Sequence, residues 1–330
     1  MLTAVVMAGS GLLLLLGGGE VLLRGAVALA GRLGLSPLLI GLTVVAAGTS
    51  MPELVVVVSS GLAGAPDLGV GNVVGSNIAN ILLILGAAAV FWPVATRPHH
   101  ILRDGVAVLT ATALFLVFAL IGPVGRVEGL IMLAVLTAYM VFSYVSDRRA
   151  QAAARSADAE AEDAEAEDAA EESAPAPGLA ASMLLVAAGA GALVAGSQLL
   201  IDGAVVIARA IGVSEAVIGL TMIAIGTSLP ELTTAVIAAL RHHSEIALGN
   251  VLGSNMFNIL AILPALALVT PFRVAPEMLR FDVWVMAAAA LILLPVMFTG
   301  WRIGRREGAF FLLIYGLYIV IKYEPAVMAG

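Results

Sequence analysis

One stretch of this chain occurs twice, and it constrains the fold more than any other feature. Residues 41–85 read GLTVVAAGTSMPELVVVVSSGLAGAPDLGVGNVVGSNIANILLIL, and residues 219–263 read GLTMIAIGTSLPELTTAVIAALRHHSEIALGNVLGSNMFNILAIL. At a fixed offset of 178 the two agree at 23 of 45 positions without a gap. The matches gather on Gly-Thr-Ser-x-Pro-Glu (48–53 and 226–231) and on Gly-Asn-Val-x-Gly-Ser-Asn-x-x-Asn (71–80 and 249–258). Internal duplication implies two structurally equivalent halves. Polar residues kept inside apolar surroundings in both copies imply chemistry.

Those surroundings are a membrane. The chain is 61% hydrophobic and 12% charged, with a mean hydropathy of +1.06, which excludes an ordinary soluble domain. It has no cysteine, so disulfides and thiolate metal sites are excluded. The net charge of −7 sits in one place. Residues 147–180 hold ten acids and three arginines, leaving thirteen acids (23 − 10) and thirteen bases (16 − 3) elsewhere. Nothing suggests a nucleic-acid surface.

Apolar runs predict spans at 2–29, 35–62, 68–90, 101–121 and 127–145. A second set follows at 179–211, 213–240, 246–269, 281–298 and 309–321. Most come near the roughly 20 residues a helix needs to cross the hydrocarbon. No Lys or Arg precedes the first run, so a cleaved signal peptide is not expected. The expected fold is an all-α membrane protein of ten transmembrane helices arranged as two inverted five-helix repeats. The expected divisions are residues 1–146, an acidic cytoplasmic linker at 147–178, and residues 179–330. Five spans per set is odd, which inverts the second set. With both termini outside, eleven arginines fall on the inner side (24, 32, 97, 103, 148, 149, 155, 241, 302, 305, 306). Five basic residues stay outside (Arg126, Arg209, Arg273, Arg280, Lys322), which favours this orientation. The acidic run lacks the spaced ligands and turn glycine of a calcium loop, so a solvated tether is expected.

Inverted repeats with interrupted helices are the signature of secondary transporters, with the site between the repeats near the midplane. Pro52 and Pro230 donate no N–H and clash with the carbonyls of Gly48 and Gly226, so carbonyls around 46–48 and 224–226 are expected to be freed. Thr49, Ser50 and Glu53 share a face at i, i+3 and i+4 spacing, as do Thr227, Ser228 and Glu231. Ser76 with Asn80, and Ser254 with Asn258, are again i, i+4. These donors are all oxygen, which suits Ca2+ and Na+ rather than zinc or copper. Close helix packing alone accounts for the small residues. It does not account for two mid-span carboxylates, which are costly and point to function.

The doubled Gly-Thr-Ser-x-Pro-Glu and Gly-Asn-x-x-Gly-Ser-Asn motifs resemble the two α-repeats of the cation/calcium antiporter superfamily, in its prokaryotic sodium/calcium exchanger branch. The resemblance covers all ten spans. It implies a core of spans 2, 3, 7 and 8, with spans 1 and 6 as long tilted helices that slide past it. It implies secondary active exchange of Ca2+ for Na+ in the cell membrane, without a cofactor or an obligate protein partner. The implied ion ligands are Ala46 (carbonyl), Thr49, Ser50, Glu53, Ser76 and Asn80, and Ala224 (carbonyl), Thr227, Ser228, Glu231, Ser254 and Asn258. Exchangers of this branch can carry Asp at the position of Asn258, and proton-coupled relatives carry Asn. Proton or potassium coupling therefore stays open beside sodium.

Outside the motifs, Glu20 and Arg24 form an i, i+4 pair on span 1, and the repeat offset places Asp202 opposite Arg24 in span 6; a structural ion pair is expected there rather than a gating role. His99, His100, His242 and His243 fall in loops, and Trp92, Trp284 and Trp301 near span ends read as interfacial anchors. Two occluded glutamates fit a carrier better than a passive cation channel. An intramembrane hydrolase is excluded because no histidine lies in a span.

Overall fold

The computed structural model describes residues 1–96, 101–162, 177–211 and 226–328, with the backbone only for 101–102, 154–162 and 323–328. The chain is an all-helical membrane protein. By length and composition, seven described helices are able to cross a membrane, and one bent pair makes an eighth span. Helix α1 covers Leu2–Leu33. Span two is broken into α2 (Pro37–Thr49) and α3 (Met51–Leu62), bent by 46°. Then come α4 (Pro66–Phe91), α5 (Arg103–Ile121), α6 (Arg126–Glu162) and α7 (Leu179–Ala210). The second motif lies on α8 (Leu229–Leu240) and α9 (Ser244–Val269). Short α10 (Pro276–Arg280), α11 (Asp282–Phe298) and α12 (Arg305–Met328) complete the order. The expected first half of span seven, including Ala224, lies outside the described residues, as do Arg97, His99, His100 and residues 163–176 of the linker.

Two corrections to the sequence reading concern helix ends. Helix α6 runs to Glu162, well past the expected end at 145, because the Ala-, Arg- and Glu-rich start of the acidic segment has high helix propensity. Asp147, counted with the linker, is buried and accepts the Ser36 N–H at 2.8 Å, which caps α2.

Helices α1 and α7 pack antiparallel along their length through glycines seven residues apart. Gly11, Gly18 and Gly25 face Gly196, Gly189 and Val186 in turn, and Gly203 lies against Ala4 and Ala8. A Cβ on Gly11 would fall 2.4 Å from the Leu200 nitrogen, and one on Gly189 would fall 2.4 Å from the Leu22 nitrogen. Backbone meets backbone along this seam, the close approach that small residues permit in membranes. The pair also corrects an expectation about charge. Asp202 lies at the opposite end of the antiparallel pair from Arg24 and accepts the Gln198 amide at 2.9 Å. Glu20 instead accepts from Arg24 and from Arg241 at the end of α8, each at 3.0 Å.

The two halves repeat each other in detail. Val94 and Ala95 pair antiparallel with Ile303 and Arg302. The mate of the first of these pairings is the bridge between Val124 and Phe272. Asp104 accepts the Tyr139 hydroxyl at 2.8 Å, and Asp282 accepts the Tyr318 hydroxyl at 3.0 Å. The Val94–Ile303 and Asp104–Tyr139 contacts thus map onto Phe272–Val124 and Asp282–Tyr318 when the halves are exchanged.

The seam makes a sharp prediction from adjacent glycines. Gly18→Ala should destabilise the protein by about 1–3 kcal/mol through overpacking, because its Cβ would fall 2.9 Å from the Ala192 side chain and 3.0 Å from the Gly189 carbonyl. Gly17→Ala meets nothing within 4 Å and should leave thermal unfolding of the detergent-solubilised protein unchanged or slightly improved.

Candidate ion-binding site

The break in span two is where the site is built. Ser50 has φ −81° and ψ 8°, and Pro52 follows it at the start of α3. Ser228 and Pro230 repeat the arrangement at the start of α8, with φ −91° and ψ 7°. Restarting the helix here puts Glu53 and Glu231 in a first turn. The partial positive charge of a helix N-terminus favours a carboxylate there. In the neighbouring helices, Asn80 and Asn258 open π-helical turns over Asn80–Leu85 and Asn258–Ile262. Such turns interrupt the regular ladder and often mark functional positions.

The Ser and Thr side chains do not lie along their own helix with the glutamate, as their spacing suggested. They reach across to the other repeat. Ser50 Oγ donates to Glu231 Oε1 at 3.2 Å and lies 3.2 Å from Ser254 Oγ. Its mate Ser228 Oγ donates to Glu53 Oε1 at 3.4 Å and lies 3.3 Å from Ser76 Oγ. Thr49 Oγ1 donates to Asn250 Oδ1 at 3.1 Å, and Asn72 Nδ2 donates to Thr227 Oγ1 at 3.3 Å. The structure thus brings Thr49, Ser50, Glu53, Ser76, Thr227, Ser228, Glu231 and Ser254 into one cross-linked cluster. All of these residues are buried, with Glu53 and Glu231 only 1% exposed.

Each glutamate keeps one oxygen without a partner among the described residues, Oε2 in both cases. The buried amide oxygens of Asn80 and Asn258 are likewise unpartnered, as are Asn72 Oδ1, Asn77 Oδ1 and Thr234 Oγ1. A buried polar atom without a partner costs free energy comparable to a lost hydrogen bond. The unpartnered set is almost entirely oxygen, the donor chemistry of hard cations. Among the described residues no three His, Cys, Asp or Glu side chains cluster, so neutral oxygens must supply the rest of any shell.

One expected ligand is engaged elsewhere. The Ala46 carbonyl was expected to be freed, but it accepts the Ser50 N–H at 3.0 Å and the Thr49 hydroxyl at 3.3 Å. The proline removes the bond to Gly48, two residues further on, and leaves Ala46 within the last regular turn of α2. The Gly226 carbonyl accepts the Ser197 hydroxyl at 2.6 Å.

Three residues were missed by reading the motif as ligands alone. Asn250 accepts from Thr49 and donates to the Glu231 carbonyl at 3.3 Å, so it positions both repeats at once. Asn72 is its mate, and the Gly-Asn dipeptide present in both copies was the available signal. Thr234 is buried one turn beyond Glu231, where the first repeat has Val56; the broken identity between copies could have revealed it.

A helical membrane body whose halves meet at two buried carboxylates and a shell of neutral oxygens has the build of an ion-transport protein. The chain matches the sodium/calcium exchanger protein family over residues 3–145 and 181–324, and it belongs to that family. It is 34% identical to the sodium/calcium exchanger MaX1 of Methanosarcina acetivorans, across 95% of this chain and 96% of that one. It is 33% identical to the inner membrane protein YrbG of Escherichia coli K12, across 88% of each. Its fold resembles the solved sodium-calcium exchanger NCX_Mj, with a TM-score of 0.79 and 28% identity over 97% of this chain and 98% of that one.

The positioning residues give a test within the site. Asn250→Ala removes two buried hydrogen bonds, one to the Thr49 hydroxyl and one to the Glu231 carbonyl, and should lower stability by about 1–3 kcal/mol. Asn72→Ala, which removes a single 3.3 Å bond from a partly buried side chain, should cost less. Thermal unfolding of both variants side by side checks the order.

Proposed function

We propose that this chain is a secondary active antiporter that exchanges Ca2+ for Na+ across the cell membrane by alternating access. The observation that carries the reading is the pair of buried glutamates, each with one oxygen unpartnered among the described residues and one bonded to a serine of the other repeat. Two carboxylates balance one Ca2+ or two Na+, which makes the ions competitors for one site. The ligands are drawn from Thr49, Ser50, Glu53, Ser76, Asn80, Ala224, Thr227, Ser228, Glu231, Ser254 and Asn258. The names of the relatives support the same ions. No cofactor is needed, and the partners are the two ions and the bilayer.

The topology we infer is ten spans in two inverted sets of five, with 1–146 and 179–330 as the repeats. Both termini lie outside and the 147–178 segment is cytoplasmic. The exchanged contacts at Val94/Ile303 and Val124/Phe272, and those among Ser50, Glu231, Ser228 and Glu53, support the pseudo-twofold relation. The two copies differ in one respect that bears on access. Helix α1 packs on α8, where Gly19 lies beside Ile237 and Thr233. The mate pairing, α7 on α3, is not among the packed interfaces of the described residues. Met51 and Val55 on α3 are accordingly 48% and 60% exposed, while their mates Leu229 and Thr233 are half-buried. In the proposed orientation α3 is the outer half of its span. The uncovered side is therefore the outer one, and Glu20–Arg241 fastens the inner one.

The reading predicts that Glu53→Gln and Glu231→Gln each abolish Ca2+ exchange, because either leaves one carboxylate against a divalent ion. Asn258→Ala removes a ligand without changing charge and should weaken apparent Ca2+ affinity by about tenfold, or about 1.4 kcal/mol. The measurement is radiolabelled Ca2+ uptake into proteoliposomes under an imposed Na+ gradient, then under proton or K+ gradients. Near-normal exchange in either glutamate variant removes the proposed site, and uptake driven only by protons or K+ replaces sodium as the coupling ion. Deleting residues 157–172 should leave the flux largely intact; loss of transport in a normally inserted deletion protein would make that segment regulatory.

A further inference from the structure

A second site lies away from the ion-binding glutamates, where α1, the start of α7 and the end of α8 meet. A cavity of about 490 Å³ opens there, with Glu20, Arg24, Pro177, Arg241 and His243 on its polar side. Its walls are of two kinds. Leu23, Val27, Ala28 and Leu185 supply an apolar surface. Arg24 and Arg241 are each held through Nε by a different oxygen of Glu20, at 3.0 Å, so one carboxylate fixes both guanidinium groups at the same pocket. Their side chains stay 71% and 60% exposed, and neither makes another polar contact among the described residues. Two arginines against one glutamate leave one net positive charge.

The depth suits a headgroup. Helix α1 has 32 residues and rises about 48 Å, against a hydrocarbon core of about 30 Å, so a centred helix overhangs each face by about 9 Å. Arg24 lies nine residues from the end of α1, about 13.5 Å, and so sits just inside the boundary, within snorkelling reach of it. Basic pockets between helices at this level bind lipid headgroups.

We propose that this cavity binds an anionic phospholipid, with its phosphate on Arg24 and Arg241 and an acyl chain along Leu23, Val27, Ala28 and Leu185. The occupied leaflet, the inner one, rests on the topology proposed above; the binding itself does not. Charge complementarity selects the lipid class. A zwitterionic headgroup offers a phosphate but no net charge, whereas an anionic one gains about fivefold for each net positive charge near the surface.

The test is native mass spectrometry of the full-length, delipidated protein with equal amounts of phosphatidylglycerol and phosphatidylcholine, a readout independent of transport. The wild type should favour the first phosphatidylglycerol adduct by about fivefold. Arg24→Gln leaves the cavity neutral and should erase the preference; this side chain is well exposed, so the variant should fold. Glu20→Gln doubles the net charge and should raise the preference to roughly thirtyfold, an increase that a purely structural role for Glu20 would not give. Equal adducts in the wild type, or an unchanged preference in both variants, would overturn the proposal. So would displacement of the lipid by millimolar inorganic phosphate, which would make this a free-phosphate site. Deleting residues 157–172 should leave the preference unchanged; a preference appearing only after deletion would mean that the acidic segment before Pro177 occupies the cavity instead.

Discussion

Two carboxylates buried in an apolar body set the terms for everything around them. A charge buried in an apolar membrane body is costly unless something compensates it, and here each glutamate has one oxygen bonded to a serine of the opposite repeat and one oxygen unpartnered among the described residues. The helix breaks at Ser50 and Ser228 serve this requirement twice. They open the backbone where Pro52 and Pro230 forbid a regular ladder, and they place Glu53 and Glu231 at helix N-termini. The π-helical turns beginning at Asn80 and Asn258 occupy the matching positions of the adjacent helices. Irregular backbone of this kind is tolerated at membrane depth only where protein or a polar cavity surrounds it.

The duplication is more than a record of sequence history, because the site cannot be assembled from one copy. Ser50 needs Glu231, Ser228 needs Glu53, and Thr49 needs Asn250. Each half supplies the carboxylate that the other half's hydroxyl orients. The long pair α1 and α7 is joined through heptad-spaced glycines and contacts the core unequally, with α1 seated on α8 and fastened there by Glu20 and Arg241. The equivalent positions in the other copy are Gln198 and Ala63, which cannot form an ion pair. Near-symmetric halves held in unequal positions are consistent with the alternating access proposed above, and the asymmetry is lodged in these few residues.

Much of this was legible in the sequence, and the failures have physical reasons. The described spans, the break at Gly-Thr-Ser-x-Pro-Glu and the twinned glutamates follow from hydropathy, proline chemistry and the repeat offset. The direction of Thr49 and Ser50 did not follow, because helical spacing places neighbours only along one helix and these side chains point across an interface. Ala46 was expected to offer a free carbonyl because proline effects were spread over three residues when they act at one. The Glu20–Arg241 contact joins residues 221 apart in sequence, beyond any local pattern. Gly11, Gly18 and Gly25, with Gly189, Gly196 and Gly203, were visible as a seven-residue rhythm. They passed as generic small residues until backbone distances gave them a role.

The central claim is that Glu53 and Glu231 form one site that Ca2+ and Na+ share by turns. Equilibrium binding of radiolabelled Ca2+ to the purified protein, titrated with Na+ at constant ionic strength, tests it most directly. The account predicts one Ca2+ per chain, displaced completely by Na+ along a curve steeper than single-site competition, since at least two Na+ must enter to replace the charge. Retention of bound Ca2+ at saturating Na+, or displacement no steeper than one-for-one, would contradict it.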